Sequence, residues 1–144
     1  MRTKDQRIVA LRRVPLFSGL SKRDLALVLA LAKEQEFRAG EVIVKAGDKA
    51  QDFYVMARGQ AKLTVPGRRT AVLSPGDYFG EMSVLDGGPR TATIVASGPG
   101  WALRIGRSDF LLLLEAYPSI ARKILVELSR RVRAAEGASG SGRH

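Results

Sequence analysis

Between residues 41 and 106 the chain carries a succession of short segments with strand character, most of them bounded by glycine or proline. Many brief strands separated by turn residues are typical of a β-sandwich or a β-barrel. This pattern predicts that the centre of the chain is a β-sheet unit. The predicted strands are Glu41–Lys45, Phe53–Ala57, Ala61–Val65, Arg69–Leu73, Thr91–Ala96 and Trp101–Gly106.

One of these turns is specific enough to predict a strand register. The segment Val65–Arg68 reads Val-Pro-Gly-Arg, and proline followed by glycine suits a two-residue hairpin turn. Such a turn places Leu63 opposite Thr70 and Ala61 opposite Val72. Alternation then puts these four side chains on one face of the hairpin, as the wall of a ligand pocket or, equally, as plain core packing.

The N-terminal region predicts two helices ahead of the strands. The first spans Lys4–Arg13 and is ended by Pro15. Ser21 has the character of an N-cap, with Asp24 at the third helical position, so a second helix is expected from there to about Glu34.

The C-terminal region predicts a broken helix and a tail. Ser108 is the expected cap of a first part, Asp109–Ala116, and Pro118 separates it from a second part, Ser119–Ala135. The tail Gly137–His144 is rich in glycine and serine, so we expect disorder there and a single folded domain over residues 1–136. The second part has a helical apolar stripe formed by Ile120, Ala121, Ile124, Leu125, Leu128, Val132 and Ala135.

Composition excludes several classes of function. The chain has no cysteine, and its only histidine is His144 in the tail, so a His/Cys metal site and a Ser–His or Cys–His nucleophile are not expected. The aspartates Asp48 and Asp77 each follow a glycine, which indicates turns rather than a catalytic carboxylate pair. No apolar run approaches the ~20 residues of a membrane span. We therefore expect a cytoplasmic protein that is not an enzyme and needs no cofactor.

The charge is strongly positive, at +10 with a pI near 10.7. The basic residues concentrate at the two ends of the chain, and no aromatic residue lies among them to stack on bases. Solvated helix faces explain this charge more simply than a nucleic-acid or membrane surface. After Val132 too little sequence follows for a recognition helix, so specific DNA binding is not expected.

The segment Phe79–Ile94 contains the strongest candidate for a binding site. Glu81 and Arg90 stand nine residues apart, with Gly80 before the acid and a Gly-Gly-Pro corner before the base. One helical turn after Gly80 would direct free N–H groups at an anion, and an arginine fork matches two phosphate oxygens. The alternative is structural: Glu81 caps its own turn, and Arg90 pairs with it or with Asp86.

This segment resembles the phosphate-binding cassette of cyclic nucleotide-binding domains, which occur in the bacterial catabolite activator, in protein kinase A regulatory subunits and in cyclic-nucleotide-gated channels. The resemblance covers Leu16 to Val132. The matching motifs, in order, are Gly40-Glu41, Gly47-Asp48, Phe53-Tyr54-Val55 with Gly59, Pro75-Gly76-Asp77, Phe79-Gly80-Glu81-Met82-Ser83 and Pro89-Arg90-Thr91-Ala92-Thr93.

The resemblance implies an α+β fold: an eight-stranded antiparallel β-roll of the double-stranded β-helix type, with N-terminal helices and C-terminal hinge and lid helices. It implies cyclic AMP or cyclic GMP as ligand. Arg90 would meet the cyclic phosphate and Glu81 the ribose 2′-hydroxyl. The cassette residues that would offer backbone groups or line the site are Gly80, Met82, Ser83, Thr91 and Ala92. The residues that would line the pocket for the base are Leu63, Thr70 and Val72.

In this family the lid helix covers the base, often with an aromatic residue. Residues 119–135 contain no aromatic residue, so Arg130 or Arg131 is expected there, with Arg130 as our assignment. Thr91 stands where a hydroxyl contacts phosphate and, in some relatives, guanine.

Three functional classes follow. In the first class, the chain is a stand-alone cyclic nucleotide sensor that signals to an effector protein in trans through its C-terminal helix. It would then act as a monomer or form a homodimer. Alternatively, it is the regulatory fragment of a larger channel or transcription regulator. The third class is a ligand-free β-roll that serves as an interaction scaffold, which would not need Glu81 and Arg90 together.

Overall fold

A computed structural model describes residues 3–68 and 70–139 of the chain. It contains two four-stranded antiparallel sheets with helices before and after them, which confirms the predicted α+β β-roll. The strands are β1 (Ala32–Phe37), β2 (Val42–Val44), β3 (Phe53–Arg58), β4 (Ala61–Thr64), β5 (Thr70–Leu73), β6 (Tyr78–Phe79), β7 (Thr93–Ala96) and β8 (Gly100–Ile105). The helices are α1 (Lys4–Arg12), α2 (Lys22–Leu31), α3 (Glu81–Asp86), α4 (Arg107–Ala116) and α5 (Pro118–Ser139), with a 3₁₀ turn at Pro15–Phe17 between α1 and α2.

The strand order winds the chain back and forth between the two sheets. One sheet runs β1-β8-β3-β6 and the other runs β2-β7-β4-β5. The inner faces of the two sheets share one apolar cluster, in which Tyr54 and Phe79 of the first sheet meet Ala61 and Ile94 of the second. The outer face of the first sheet packs under the helices in a second, larger cluster. The cassette segment connects β6, the edge strand of the first sheet, to β7 of the second sheet.

The β4–β5 hairpin has a different register from the one predicted. Ala61 pairs with Leu73, Leu63 with Ala71 and Thr64 with Thr70. The expected turn forms, because Arg68 N donates to Val65 O at 2.9 Å. However, five residues separate Thr64 from Thr70, and residue 69 lies outside the described residues. This odd spacing shifts the pairing by one position, which moves every side chain of β5 to the opposite face.

Two boundaries at the helices also differ from the predictions. Helix α2 begins after Ser21, whose hydroxyl accepts from Asp24 N as expected, but it ends at Leu31 instead of Glu34. From Ala32 the chain pairs with β8, so tertiary pairing overrides the helix propensity of Ala-Lys-Glu. The cap of α4 is Gly106 rather than Ser108, which lies inside the first turn of the helix.

Helix α5 is only partly packed against the rest of the chain. Ile120 and Ile124 are buried, Leu128 is half-buried, and Leu125 and Val132 are 63% and 58% exposed. The helix continues through Ser139, so it includes the first residues of the segment predicted as a disordered tail. Residues 140–144 lie outside the described residues. Among the described helices, none combines the length and the apolar character needed to cross a membrane.

Candidate functional site

The site begins where strand β6 turns into helix α3 at Gly80. This glycine has φ +91°, and a Cβ placed on it would lie 2.5 Å from the carbonyl oxygen of Asp52 and 2.7 Å from Nη1 of Arg90. Both the positive φ and the close approach require glycine. The absence of a side chain therefore lets the guanidinium of Arg90 lie directly against the N-terminal end of α3.

The backbone of Arg90 is fixed to the loop that precedes β3. Its N–H donates to the carbonyl of Asp48 at 2.8 Å, and its own carbonyl accepts from the N–H of Gly47 at 2.8 Å. The side chain is held by the same segment, because Nη2 donates to the carbonyl of Asp52 at 2.8 Å. These three bonds attach the backbone of Arg90 and one nitrogen of its guanidinium to the same short loop.

The Arg90 guanidinium is buried, and only part of its donor capacity is used. The residue is 5% exposed, and neither Nε nor Nη1 has a hydrogen-bond partner within the described part of the chain. Burial lowers the pKa of Arg90, while the nearby Tyr54 and the acidic groups Asp52, Glu81 and Asp48 act in the opposite direction. Arginine nevertheless keeps its proton in proteins. A buried cation with open donors is costly unless an anion completes its hydrogen bonds.

The acid of the segment, Glu81, is also buried, and it contacts the C-terminal helix. Glu81 is 4% exposed, and its Oε1 accepts from Nη1 of Arg131 at 2.5 Å. Burial by itself lowers the pKa of Arg131, but the charge and hydrogen bond of Glu81 outweigh it and the pKa is raised. The bond ties α5 to the first residue of α3.

The remaining predicted cassette residues fall into two groups. Ser83 and Ala92 are buried, at 3% and 8% exposure, whereas Met82 is 43% exposed and Thr91 is exposed. Leu63 is half-buried and packs against the inner cluster of the roll. Of the predicted residues, the structure brings Gly80 and Arg90 into close contact, with Glu81 next to Gly80 in the chain.

Three other predicted site residues are exposed. Thr70 and Val72 point out of the roll, with Val72 65% exposed, because the hairpin register is shifted by one residue. Ala71 and Leu73 occupy the face of Ala61 and Leu63 instead.

The third is Arg130, which pairs with Glu127 one turn earlier and has a side chain that is 74% exposed. Adjacent residues of a helix point about 100° apart, so only Arg131 reaches Glu81. A contributor missing from the prediction is Asp52, which acts through its backbone carbonyl. No side-chain pattern marks a backbone carbonyl, so the sequence held no signal for it.

A cleft of about 810 Å³ borders this region between α5 and the turn before β6. Arg131 and Tyr78 line it, but Glu81 and Arg90 do not. Tyr78 stands at the border of the cleft and the site, and burial, followed by the charge of Glu81, raises its pKa to about 12. Within the described residues, no group of three or more acidic, histidine or cysteine side chains could hold a metal ion.

Comparisons with known proteins agree on one family. Residues 34–117 match the family model described as the cyclic nucleotide-binding domain. The chain is 37% identical over 127 residues to the cyclic AMP receptor protein of Thermus thermophilus, which covers 85% of this chain and 59% of that protein. It is 36% identical over 115 residues to a cAMP-dependent protein kinase regulatory subunit of Emericella nidulans, covering 78% of this chain and 28% of that protein.

A solved structure extends the comparison to the fold. The crystal structure of the Thermus thermophilus catabolite activator protein matches with a TM-score of 0.78 and 35% identity, over 88% of this chain and 62% of that one. The chain thus spans 59% of the length of the bacterial receptor and 28% of that of the kinase subunit.

Proposed function

Because the chain belongs to the cyclic nucleotide-binding domain family, as its motifs predicted, we propose that it binds a 3′,5′-cyclic nucleotide and acts as a regulatory module without catalysis. Cyclic AMP is the first candidate, since the bacterial receptor and the kinase subunit are both named for it. Cyclic GMP is the second, because the hydroxyl of Thr91 is exposed beside Arg90 and can accept from a guanine amino group.

The observation that carries this proposal is the pair of open donors on Arg90. Nε and Nη1 are buried without a partner in the described residues, while Nη2 is already used by Asp52. Nη1 lies against Gly80, so this open donor faces the N-terminal end of α3. A singly charged cyclic phosphate would accept from the arginine fork and from the free N–H groups at the start of the helix.

Glu81 is the second residue proposed to bind the ligand, through the ribose. Its carboxylate is buried in the same segment and can accept a hydrogen bond from a ribose 2′-hydroxyl through the oxygen that Arg131 does not use. The N–H groups of Met82 and Ser83, on the first turn of α3, would complete the phosphate site. The base would then lie in the roll, with Leu63 and Ala71 on the wall that β4 and β5 form.

The signalling element in this proposal is helix α5. It meets the site through Arg131 and is separated from α4 by Tyr117, whose backbone is not helical. A broken helix gives a natural hinge, so ligand binding at Glu81 would change how firmly α5 is held. Amide hydrogen exchange tests this step: protection of residues 120–132 should increase with ligand, and unchanged protection would mean a rigid site.

Two kinds of partner are proposed for helix α5. The exposed residues Leu125 and Val132 are seven positions apart and therefore lie on one side of the helix. This face suits an effector protein or a second copy of the chain. Since the chain covers only part of its relatives, the same face would join the remaining domains if the module belongs to a channel or a transcription regulator. Native mass with and without ligand separates a homodimer from a monomer.

Calorimetric titration with cyclic AMP and with cyclic GMP tests the proposed function. The wild-type chain should bind at least one of them, and Arg90→Ala should weaken that binding by a factor of thirty to several thousand, because loss of one partner of a buried charge pair costs about 2–5 kcal/mol. Arg12→Ala, an exposed arginine at the end of α1, is the matched control and should bind normally. Absence of binding by the wild type would leave the ligand-free scaffold as the better explanation.

A further inference from the structure

The aromatic ring of Tyr54 lies beside the arginine of the site. The Cζ atom of Arg90 is 5.7 Å from the centre of the Tyr54 ring, within the range of a cation–π contact. Both residues are 5% exposed. Burial makes such a contact stronger than it is at a surface, because water does not compete for the cation.

Tyr54 also contacts the strand that leads into the site. Its ring stacks on Phe79 with the centroids 4.7 Å apart and the planes 6° from parallel, and the two residues are paired across β3 and β6. Phe79 immediately precedes Gly80. The far end of the tyrosine is anchored as well, by a long hydrogen bond of 3.4 Å from its hydroxyl to Gln35 on β1.

We propose that Tyr54 is a positioning residue of the cyclic nucleotide site: its ring holds the guanidinium of Arg90 at the N-terminal end of α3 by a cation–π contact, and it holds Gly80 in place through Phe79. This inference rests on the proposed function. It assigns Tyr54 no contact with the ligand. The hydroxyl is not needed for this role, because the ring face meets the arginine.

The position of Arg90 explains why such a support matters. Its guanidinium has one hydrogen bond within the described protein, to the carbonyl of Asp52, and a single bond does not fix the rotation of a planar fork. A ring beside the fork restricts that rotation. The open donors Nε and Nη1 are thereby kept in one orientation before ligand arrives, which lowers the entropic cost of binding.

Substitutions at Tyr54 separate this role from general packing. Titration with cyclic AMP, or with cyclic GMP if it binds more tightly, should show a loss of about two- to thirtyfold for Tyr54→Leu, the range from an exposed to a desolvated cation–π contact. Tyr54→Phe keeps the ring and should restore wild-type affinity. Phe37→Leu removes another buried aromatic ring from the same inner cluster and should leave affinity unchanged. Tyr54→Met offers a second ring-free variant if the leucine variant does not fold.

The background of Arg90→Ala tests whether Tyr54 acts through the arginine. In that background Tyr54→Leu should cause a smaller loss than in the wild-type background, because only the contact through Phe79 is left to remove, whereas an equal loss in both backgrounds would overturn the assignment. A Tyr54→Leu affinity equal to that of Phe37→Leu would overturn it too.

A second readout needs no ligand. The Arg90 Nε–H resonance of the free protein should shift in Tyr54→Leu, because it loses the ring current, and should stay in place in Tyr54→Phe and Phe37→Leu. If the chemical shift of the Arg90 Nε–H does not change in Tyr54→Leu, the cation–π contact is contradicted. If the wild type binds neither nucleotide, the proposed function fails, and this resonance still decides where the ring stands relative to Arg90.

Discussion

Arg131 of helix α5 donates a hydrogen bond to Glu81 at the start of helix α3, across 50 residues of sequence. The carboxylate is buried while the arginine is about half exposed. The bond therefore joins the element proposed to signal with a residue proposed to bind the ribose. A ligand that engages the second carboxylate oxygen of Glu81, as proposed, shares this carboxylate with Arg131.

Removal of this bond should loosen α5 without disturbing the roll. We expect Arg131→Ala to lower the free energy of unfolding by about 1–3 kcal/mol, since it leaves a buried carboxylate without its charged partner. Amides of the C-terminal half of α5 should exchange faster. Arg130→Ala is the matched control, because that side chain is 74% exposed and its ion pair with Glu127 contributes little. Chemical denaturation and hydrogen exchange measure both effects, and equal behaviour of the two variants would mean that the Glu81 bond does not hold the helix.

The glycine of the site should tolerate no side chain. Gly80→Ala places a Cβ at 2.5 Å from the Asp52 carbonyl and 2.7 Å from Arg90 Nη1, in addition to the strain of φ +91°. We expect it to abolish cyclic nucleotide binding and to destabilise the fold. Gly40→Ala provides the control for strain alone, because Gly40 has φ +85° but no atom within 4 Å of the added Cβ. Gly40→Ala should lower the free energy of unfolding by about 1–2 kcal/mol and leave cyclic nucleotide binding intact. Normal binding by Gly80→Ala would show that Arg90 does not lie where the site requires it.

Stability at alkaline pH should depend on Tyr78. Burial, followed by the charge of Glu81, raises its pKa from 10.0 to about 12. The folded protein then holds this proton more tightly than the unfolded chain does, so the contribution of Tyr78 is fully present below pH 10 and is lost as pH rises through 12. We therefore expect the free energy of unfolding, measured by chemical denaturation at several pH values above 10, to fall more steeply with pH in the wild type than in Tyr78→Phe. Parallel curves would mean that Tyr78 titrates as it does in the unfolded chain.

Base selectivity should be modest and should depend on Thr91. A hydroxyl at this position can accept from the guanine amino group, and adenine offers no matching donor. One such bond contributes about 0.5–1.5 kcal/mol, so Thr91→Ala should weaken cyclic GMP by about threefold to tenfold relative to cyclic AMP. Thr70→Ala, on the outward face of the hairpin, should change neither affinity. Equal losses for the two nucleotides in Thr91→Ala would remove Thr91 from base recognition.

The turns were the most predictable part of the fold, because their chemistry is local. Pro66 and Gly67 formed the expected turn, Ser21 capped α2, and Glu81 began a short helix. These outcomes depend on residues close together in sequence. The cassette motif was likewise readable, since its glycine and its two charged residues lie within one segment.

What could not be predicted depends on distant pairing. Strand β1 begins at Ala32 in a sequence that favours helix, because β8 supplies its partner about 70 residues later. The register of β4 and β5 depends on the loop having one residue more than the predicted hairpin allowed. That difference places Thr70 and Val72 on the opposite face from the one predicted. The choice between Arg130 and Arg131 depended on how α5 is rotated against α3, which the helical period of α5 alone does not determine.

The central claim is that the open donors of Arg90 bind a cyclic phosphate. Its most direct test is thermal unfolding with and without nucleotide, compared between the wild type and Arg90→Ala. At a ligand concentration about 100 times its dissociation constant, cyclic AMP or cyclic GMP should stabilise the wild type by about 2.7 kcal/mol. The same concentration should stabilise Arg90→Ala by about 0.9 kcal/mol or less, the value for a site weakened thirtyfold, with Arg12→Ala behaving as the wild type. Equal stabilisation of the wild type and Arg90→Ala would contradict the assignment of Arg90 to the phosphate.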